Sequence, residues 1–206
     1  HGLHGLLSNC TYNTLSGTSV PRDFVELPSQ VMENWALEPE VLKLYAFHYK
    51  TGEVIPQELV NKLEKASHFN QGFVTVEYVS AALLDMNYQI LNKKQEDFDV
   101  NKFENDVLNK IGLIPEIVVR YRSTYFSHVF AGGYAAGYYG YIWAAVLDAD
   151  AFQAFKETSL FDQETAKSLR ENIISRGGTD EGMTLYKNFR GQEPSIDPLL
   201  ERKGLK

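Results

Sequence analysis

The sequence predicts an all-α protein with little or no β-strand. Along most of its 206 residues, apolar side chains recur at intervals of three and four, which is the period of an amphipathic helix. Prolines and glycines stand where these patterns begin and end, as at Pro28, Pro56 and Gly177-Gly178. Because no repeat, low-complexity tract or linker interrupts the pattern, we expect one domain over residues 1–206.

The helices are predicted to follow one another with short connections. Residues 1–9 are typical of the end of a helix, and residues 11–28 are mixed, with turn signals at Ser16-Gly17 and Pro21. The helical patterns after them cover residues 28–35, 38–49, 56–68, 72–91, 101–111, 134–155, 163–175 and 180–189, with a short last helix that ends at Gly204.

Three connections are less regular. Residues 50–52 predict a turn, and residues 93–99 predict a charged loop. Residues 115–119 are rich in β-branched side chains and fit either an extended or a helical segment. The pattern of residues 121–128 favours neither helix nor strand.

Composition excludes several classes of protein. The formal net charge is −7, whereas nucleic-acid binding needs clustered Lys and Arg, so we expect no nucleic-acid partner. No apolar run reaches the roughly 18 to 20 residues of a membrane helix, which predicts no membrane span. The single cysteine, Cys10, excludes an internal disulfide and a zinc finger with two or more Cys ligands. This unpaired cysteine favours the cytoplasm.

Three places carry residues suited to chemistry: the pair His1 and His4, residues 23–30 around Glu26, and the glycine-tyrosine stretch 126–141. Each also has a structural explanation. Two His three apart simply share a helix face, and Glu26 before a helix that starts at Pro28 suits the positive helix N-terminus. The tyrosines of residues 134–141 fit a helix face in the core, or a polar cleft, because buried hydroxyls need partners.

The three places together resemble the thimet oligopeptidase and peptidyl-dipeptidase family of zinc peptidases. That family has a His-Glu-Phe-Gly-His motif followed by a small residue and Leu-His-Gly, and this chain opens His-Gly-Leu-His-Gly-Leu-Leu-Ser, matching from the second motif histidine onward. The Ser-Gly-Thr, Arg-Asp-Phe-Val-Glu, Pro-Ser-Gln and Glu-Asn-Trp motifs follow at residues 16–18, 22–26, 28–30 and 33–35. Residues 128–141 resemble the family's glycine-tyrosine loop, and residues 135–139 and 189–205 are similar to its bacterial peptidyl-dipeptidase branch.

The resemblance implies a role for five residues. His1 would be the second zinc ligand and Glu26 the third, since a catalytic zinc takes three protein ligands and keeps a fourth position open. His128, Tyr134 and Tyr141 would face the scissile peptide, where tyrosine hydroxyls can stabilise a developing oxyanion. His4 is not a ligand in the family pattern, and we expect it to pack beside the site.

The first motif histidine and the glutamate after it, the family's general base, would precede His1. The resemblance therefore implies that residues 1–206 are the carboxy-terminal portion of a catalytic domain whose amino-terminal portion is missing. We expect the whole enzyme to hydrolyse short peptides with zinc, releasing carboxy-terminal dipeptides, and this chain alone to be inactive.

Three alternatives stay open at this point. The first is an endo-acting oligopeptidase of the same family. The second is a helical module that binds peptides without cutting them, consistent with a tyrosine-lined cleft and no catalytic glutamate. The third is a purely structural helical domain, which predicts neither zinc nor peptide binding.

Overall fold

The computed structural model describes residues 1–92 and 97–206, and this part of the chain is helical, as predicted. Its only extended pairing is a single antiparallel bridge between Phe47 and Val54. Part of the predicted charged loop, at residues 93–96, lies outside the described residues. Within the described ranges, no helix is long and apolar enough to cross a membrane.

The described residues form eleven α-helices, joined by turns and short 3-10 segments. In chain order they are α1 (Gly2–Leu6), α2 (Leu27–Glu33), α3 (Pro39–Tyr45), α4 (Gln57–Ser67), α5 (Gln71–Gln89), α6 (Val100–Lys110), α7 (Ser127–Phe130), α8 (Gly140–Glu157), α9 (Gln163–Leu169), α10 (Gly182–Arg190) and α11 (Asp197–Arg202). They divide into two compact units, one comprising His1–Phe69 with Ile142–Lys206 and the other Asn70–Tyr141.

The first unit packs α2, α8, α9 and α10 around one apolar core. Its buried members are Phe24, Leu27, Val31, Leu147, Ala151, Phe152, Phe155, Leu169, Ile173, Ile174, Leu185 and Tyr186. Trp35 closes one side, with its ring edge-on to Phe152 and Phe155 at 4.7 Å from each. Because Leu27 and Val31 are fully buried in this core, the start of α2 is held in place.

Buried carboxylates in this unit each have hydrogen-bond or ion-pair partners. Asp148 accepts a hydrogen bond from Asn34 Nδ2 at 2.9 Å and pairs with Arg202. Asp150 accepts from the Tyr186 hydroxyl at 2.6 Å. These contacts offset the free energy that desolvation of a carboxylate costs. Asp148 thereby connects α8 to α11, and Asp150 connects α8 to α10.

Gly177 lies where two backbone segments of the first unit meet. Its φ is +48°, and a Cβ there would lie 2.0 Å from the carbonyl oxygen of Leu15. We expect Gly177→Ala to lower the free energy of unfolding by about 3 kcal/mol or more, since left-handed backbone and overpacking costs add. Gly191→Ala is the matched control, because Gly191 has a φ of +77° with nothing near its Cβ position.

The control should lose only the backbone cost of about 1–2 kcal/mol. Urea unfolding of the two variants measures the difference directly. Equal losses would mean that the contact with Leu15 does not constrain the fold.

The second unit has its own core between α5, α6 and the segment that leads into α7. Its buried members are Ala81, Ala82, Leu84, Val107, Val119, Phe126, Val129 and Tyr138. Glu104 of α6, 1% exposed, accepts hydrogen bonds from the backbone N–H and hydroxyl of Ser123 at 2.7 and 2.8 Å and from Arg122 Nε. This carboxylate fixes the chain just before α7, the helix that carries His128.

Two predicted helices have wrong boundaries. The helix predicted over residues 134–155 begins only at Gly140, and residues 134–139 form successive turns. The helix predicted to end near residue 49 ends at Tyr45. There a turn at residues 49–51 reverses the chain, and Phe47 pairs with Val54, which competes with continuing the helix.

The backbone of two further segments, residues 115–119 and 163–175, is also defined by the structure. Residues 115–119 are neither helix nor strand but turns and irregular backbone. The helix predicted over 163–175 changes after Leu169 into a π-helical segment, Arg170–Ile174.

Candidate functional site

Glu26 is the buried carboxylate that immediately precedes α2. Its carbonyl oxygen accepts from Gln30 N at 2.9 Å, so the backbone of Glu26 already belongs to the first helical turn. Pro28 stands at the start of the helix, where its missing N–H costs nothing. Leu27 next to it is fully buried, and Glu26 itself is 6% exposed. The local sequence therefore fixes the position of a carboxylate with little access to water.

His1, at the start of α1, meets this carboxylate. Its Nε2 lies 3.2 Å from Glu26 Oε2, and its side chain is 47% exposed. Glu26 Oε2 also accepts a hydrogen bond from Ser29 Oγ at 2.8 Å. The structure thus brings together the two residues that the resemblance assigns to zinc.

The Ser16-Gly17 motif holds the intervening loop against α1. Ser8 Oγ accepts from Gly17 N–H and from the Ser16 hydroxyl, both at 3.0 Å. Gly17 has a φ of +55°, and a Cβ there would come within 3.1 Å of Gly5 Cα. Only glycine permits this approach without displacing the helix. The motif therefore has a structural role, which is to return the chain past α1 toward Glu26.

The His1 and Glu26 donors fit a zinc ion in part. Imidazole nitrogen and carboxylate oxygen are both zinc ligands, and two ligands on one tetrahedral zinc, each about 2.1 Å from the ion, lie about 3.4 Å apart. The observed 3.2 Å is close to that separation. Among residues 1–92 and 97–206, however, no group of three or more His, Cys, Asp or Glu side chains is arranged to hold a metal ion. The described chain offers two ligands where a catalytic zinc needs three.

His4 lies one turn after His1 and points into the protein. It is 1% exposed, and within the described part of the chain neither ring nitrogen has a hydrogen-bond partner. Burial lowers the pKa of His4 below its ordinary 6.5, because the charged imidazolium loses its hydration. The buried ring of this α1 residue is in keeping with the expected packing role.

This depressed pKa predicts a pH dependence of stability. The stability that neutral His4 contributes is complete above about pH 6.5 and is lost as the pH falls through the lower, folded-state pKa, because the unfolded chain takes up the proton first. We therefore expect the free energy of unfolding to fall between pH 7.5 and 5. His4→Leu should reduce that fall, and substitution of the exposed His68 by Gln should not. Chemical unfolding across this pH range is the measurement, and equal slopes in all three proteins would contradict the prediction.

The other three predicted residues lie together in the second unit. The His128 ring centroid is 6.1 Å from that of Tyr134 and 6.3 Å from that of Tyr141. The two tyrosine rings stack on each other, with centroids 5.2 Å apart and planes 13° apart. His128 Nδ1 is buried without a hydrogen-bond partner among the described residues. The three side chains form one aromatic cluster.

The backbone of residues 134–139 differs from the predicted helix in a specific way. Tyr134 N–H donates to the carbonyl of His128 at 2.9 Å, and Ala136 adopts a left-handed φ of +53°. Tyr138 turns inward and is 2% exposed, while Tyr134 and Tyr141 stay half-buried. Burial raises the pKa of Tyr138 to about 12, so its phenol stays protonated at neutral pH. Of the four tyrosines in residues 134–141, Tyr138 is therefore a core residue, Tyr139 is 41% exposed, and Tyr134 and Tyr141 lie half-buried at the surface.

A depression of about 330 Å³ opens beside this cluster, lined by Ser127, His128, Ala131, Gly132 and Tyr134. Its walls are small residues with one imidazole and one phenol. A surface of this kind suits a peptide backbone, which needs room for close approach and a few polar partners.

Sequence reasoning missed two residues that support these sites. Ser29 binds the Glu26 carboxylate, although it was noticed only as part of the Pro-Ser-Gln motif. Asp85, 0% exposed on α5, accepts hydrogen bonds from the backbone N–H groups of Ala136 and Tyr138, both at 3.0 Å. Its signal in the sequence was an acidic residue directly after the apolar run of residues 81–84, where a buried carboxylate requires partners.

Known proteins and a protein-family profile match this chain over nearly its whole length. The profile of Peptidase family M3 matches residues 1–205. All of the chain aligns with the dipeptidyl carboxypeptidase of Escherichia coli strain K12 at 46% identity, covering 30% of that protein. It is 42% identical to oligopeptidase A of the same strain and 34% identical to saccharolysin of Saccharomyces cerevisiae, covering 30% and 29% of them. The chain thus spans about 30% of the length of these curated relatives.

Proposed function

This chain belongs to peptidase family M3, and on that premise we propose that it is the carboxy-terminal part of a zinc-dependent peptidase acting on short peptides. We refer to the whole proposed protein as the parent polypeptide. The observation that carries the zinc dependence is the approach of His1 Nε2 to the buried carboxylate of Glu26, at 3.2 Å. A buried carboxylate beside an imidazole is an arrangement that a metal cation stabilises.

His1 and Glu26 would hold the ion together with a third ligand from the part of the parent polypeptide that precedes His1. When bound, zinc supplies Lewis acidity toward the peptide carbonyl. Ser29 fixes the Glu26 carboxylate through its 2.8 Å hydrogen bond. The general base would also come from the preceding part, so we propose that the isolated chain does not cleave peptides.

Tyr134 and Tyr141 would bind the substrate at the carbonyl to be cleaved. A phenol donates one hydrogen bond, and donation becomes stronger as negative charge develops on the carbonyl oxygen in the transition state. The stacked rings limit each other's rotation, so the hydroxyls are positioned before substrate arrives. The imidazole of His128 lies against the same pair and can serve as a further hydrogen-bond partner for the peptide.

We further propose release of dipeptides from the carboxyl end, on the strength of 46% identity to a dipeptidyl carboxypeptidase. The competing specificity is endo-acting cleavage, since oligopeptidase A is 42% identical. Incubation of the parent polypeptide with a defined ten-residue peptide, followed by mass spectrometry of early products, separates the two. Sequential loss of two residues from the carboxyl end supports the first, and internal fragments support the second. The same peptide with an amidated carboxyl end is the control, because amidation removes the charge that an exo-acting enzyme would recognise.

One observation favours a different function for the chain in isolation. Its described residues provide two metal ligands rather than three, together with a surface that suits a peptide backbone. A module that binds peptides without cutting them would have these properties. Calorimetric titration of the 206-residue chain with the test peptide, without zinc, detects such binding, and no heat up to millimolar peptide would exclude it.

A further inference from the structure

Residues 134–139, here called the tyrosine loop, are attached to α5 by a single buried carboxylate. Asp85 Oδ1 accepts from Ala136 N–H and Asp85 Oδ2 from Tyr138 N–H, both at 3.0 Å. Both oxygens are therefore used, and both bonds go to backbone groups inside the segment between Tyr134 and Tyr141. Asp85 is 0% exposed, so water does not compete for these bonds.

A second contact from the same helix acts on the same segment. The hydroxyl of Tyr78 donates to the carbonyl oxygen of Tyr138, and the rings of Tyr78 and Tyr138 stack with centroids 5.2 Å apart. Tyr78 and Asp85 are seven residues apart, which places them on one face of α5 two turns from each other. Helix α5 thus binds two backbone N–H groups of the loop, those of Ala136 and Tyr138, and one backbone carbonyl, that of Tyr138.

The held conformation is one that the loop sequence does not favour by itself. Ala136 has a φ of +53°, in the left-handed region that a residue with a Cβ rarely adopts unless the surroundings determine it. The spacing of the tyrosines fits a continuous helix, in which residues 134–139 would extend α8. The contacts from α5 replace that alternative with turns that bury Tyr138 and leave Tyr134 and Tyr141 stacked beside His128.

We propose that Asp85 is a positioning residue, which acts through the backbone of residues 136–138 to present the hydroxyls of Tyr134 and Tyr141 to the bound peptide. The inference rests on the proposed function, because those hydroxyls matter to catalysis only if the parent polypeptide is a peptidase. Asp85 itself does not touch substrate. Substitution of Asp85 should therefore change kcat and the rate of amide hydrogen exchange in the loop.

The direct test is Asp85→Asn in the parent polypeptide. The amide keeps the shape of the side chain but replaces one acceptor oxygen by a donor, which faces a backbone N–H. We expect hydrogen exchange of the Ala136 and Tyr138 amides to become at least about 10-fold faster. We expect kcat for a peptide substrate to fall about 10- to 100-fold with KM changed less than about 3-fold, since positioning is lost and not binding.

Asp150→Asn is the matched control. Asp150 is also a buried carboxylate, 1% exposed, but it belongs to the first unit and accepts from the Tyr186 hydroxyl at 2.6 Å, not from the tyrosine loop. A loss of stability similar to that of Asp85→Asn, with kcat within about 2-fold of the unsubstituted protein, would show that instability alone does not explain the effect. Equal loss of kcat in both variants would overturn the proposal.

Two further variants keep the test decisive. In a background that carries both Tyr134→Phe and Tyr141→Phe, Asp85→Asn should cost less than about 3-fold in kcat, because both hydroxyls that it positions are already gone, and a full additional loss would overturn the proposal. If Asp85→Asn does not fold, Tyr78→Phe removes the other contact while keeping the stacked ring. Faster exchange at residues 136–138 with lower kcat in that variant supports the role of the α5 contacts, and no change in either overturns it.

The outcome also separates this inference from the proposed function. If the parent polypeptide cleaves peptides and Asp85→Asn retains its kcat, the proposed function stands and the role of Asp85 is wrong. If the parent polypeptide cleaves nothing, the proposed function is wrong and the catalytic role of Asp85 is lost with it. The exchange measurement then still decides whether Asp85 holds the loop.

Discussion

Glu26→Gln in the parent polypeptide is expected to remove both zinc and activity. Glutamine has nearly the same volume and can still accept the hydrogen bond of Ser29, which is 2.8 Å in the structure. It lacks the negative charge that stabilises a bound cation. Bound zinc should fall from about one per polypeptide to near zero, and kcat/KM should fall more than about 100-fold, because loss of even an outer partner of a ligand costs 10- to 100-fold.

Glu33→Gln serves as the control for this substitution. Glu33 is the last residue of α2, has an exposed side chain, and undergoes the same chemical change on the same helix. Zinc content and kcat/KM should stay within about 2-fold of the unsubstituted protein, as is usual for surface substitutions. Elemental analysis after purification without chelators gives the metal content of both variants. Full zinc occupancy in Glu26→Gln would show that Glu26 is not a ligand.

Tyr141→Phe is expected to reduce turnover strongly while leaving the fold intact. Phenylalanine keeps the ring that stacks on Tyr134 at 5.2 Å, and only the hydroxyl is lost. Loss of one donor to a developing oxyanion typically costs about 10²- to 10³-fold in kcat. KM should change less than about 3-fold, since the bond strengthens in the transition state.

Tyr125→Phe is the comparison, because Tyr125 is 58% exposed in the same unit and has no assigned role in the reaction. Steady-state kinetics with one peptide substrate, together with the thermal midpoint of each variant, distinguish a chemical effect from a structural one. A rise in KM with unchanged kcat would mean that the hydroxyl binds the substrate equally well in the ground state and in the transition state. No change in either constant would remove Tyr141 from the site.

Sequence periodicity predicted the helices well wherever local pattern and burial agree. The helix predicted over residues 72–91 matches α5, and that predicted over 101–111 matches α6, because each has an apolar face that packs in the core. The start predicted for the helix over residues 134–155 was too early, because α8 begins at Gly140. The first residues of the predicted helix have helical spacing, but their backbone N–H groups donate to Asp85 and a backbone carbonyl accepts from Tyr78, and these partners, distant in sequence, favour turns instead.

The candidate metal pair could not have been derived from spacing. His1 and Glu26 lie in separate segments, and their approach depends on the contact of Ser16-Gly17 with α1 and on burial of the start of α2. Only the resemblance placed them together before the structure was known. Ser29 and Asp85 were missed for a related reason, since a single polar residue shows its partner only in three dimensions.

A zinc titration of the parent polypeptide tests the central claim most directly. The protein would be freed of metal with a chelator, dialysed, and supplied with increasing zinc while bound metal and peptide cleavage are measured together. The account predicts one zinc per polypeptide at saturation, cleavage that rises in proportion to it, and neither in a His1→Gln variant. Undiminished cleavage by the metal-free protein, or by His1→Gln, would contradict it.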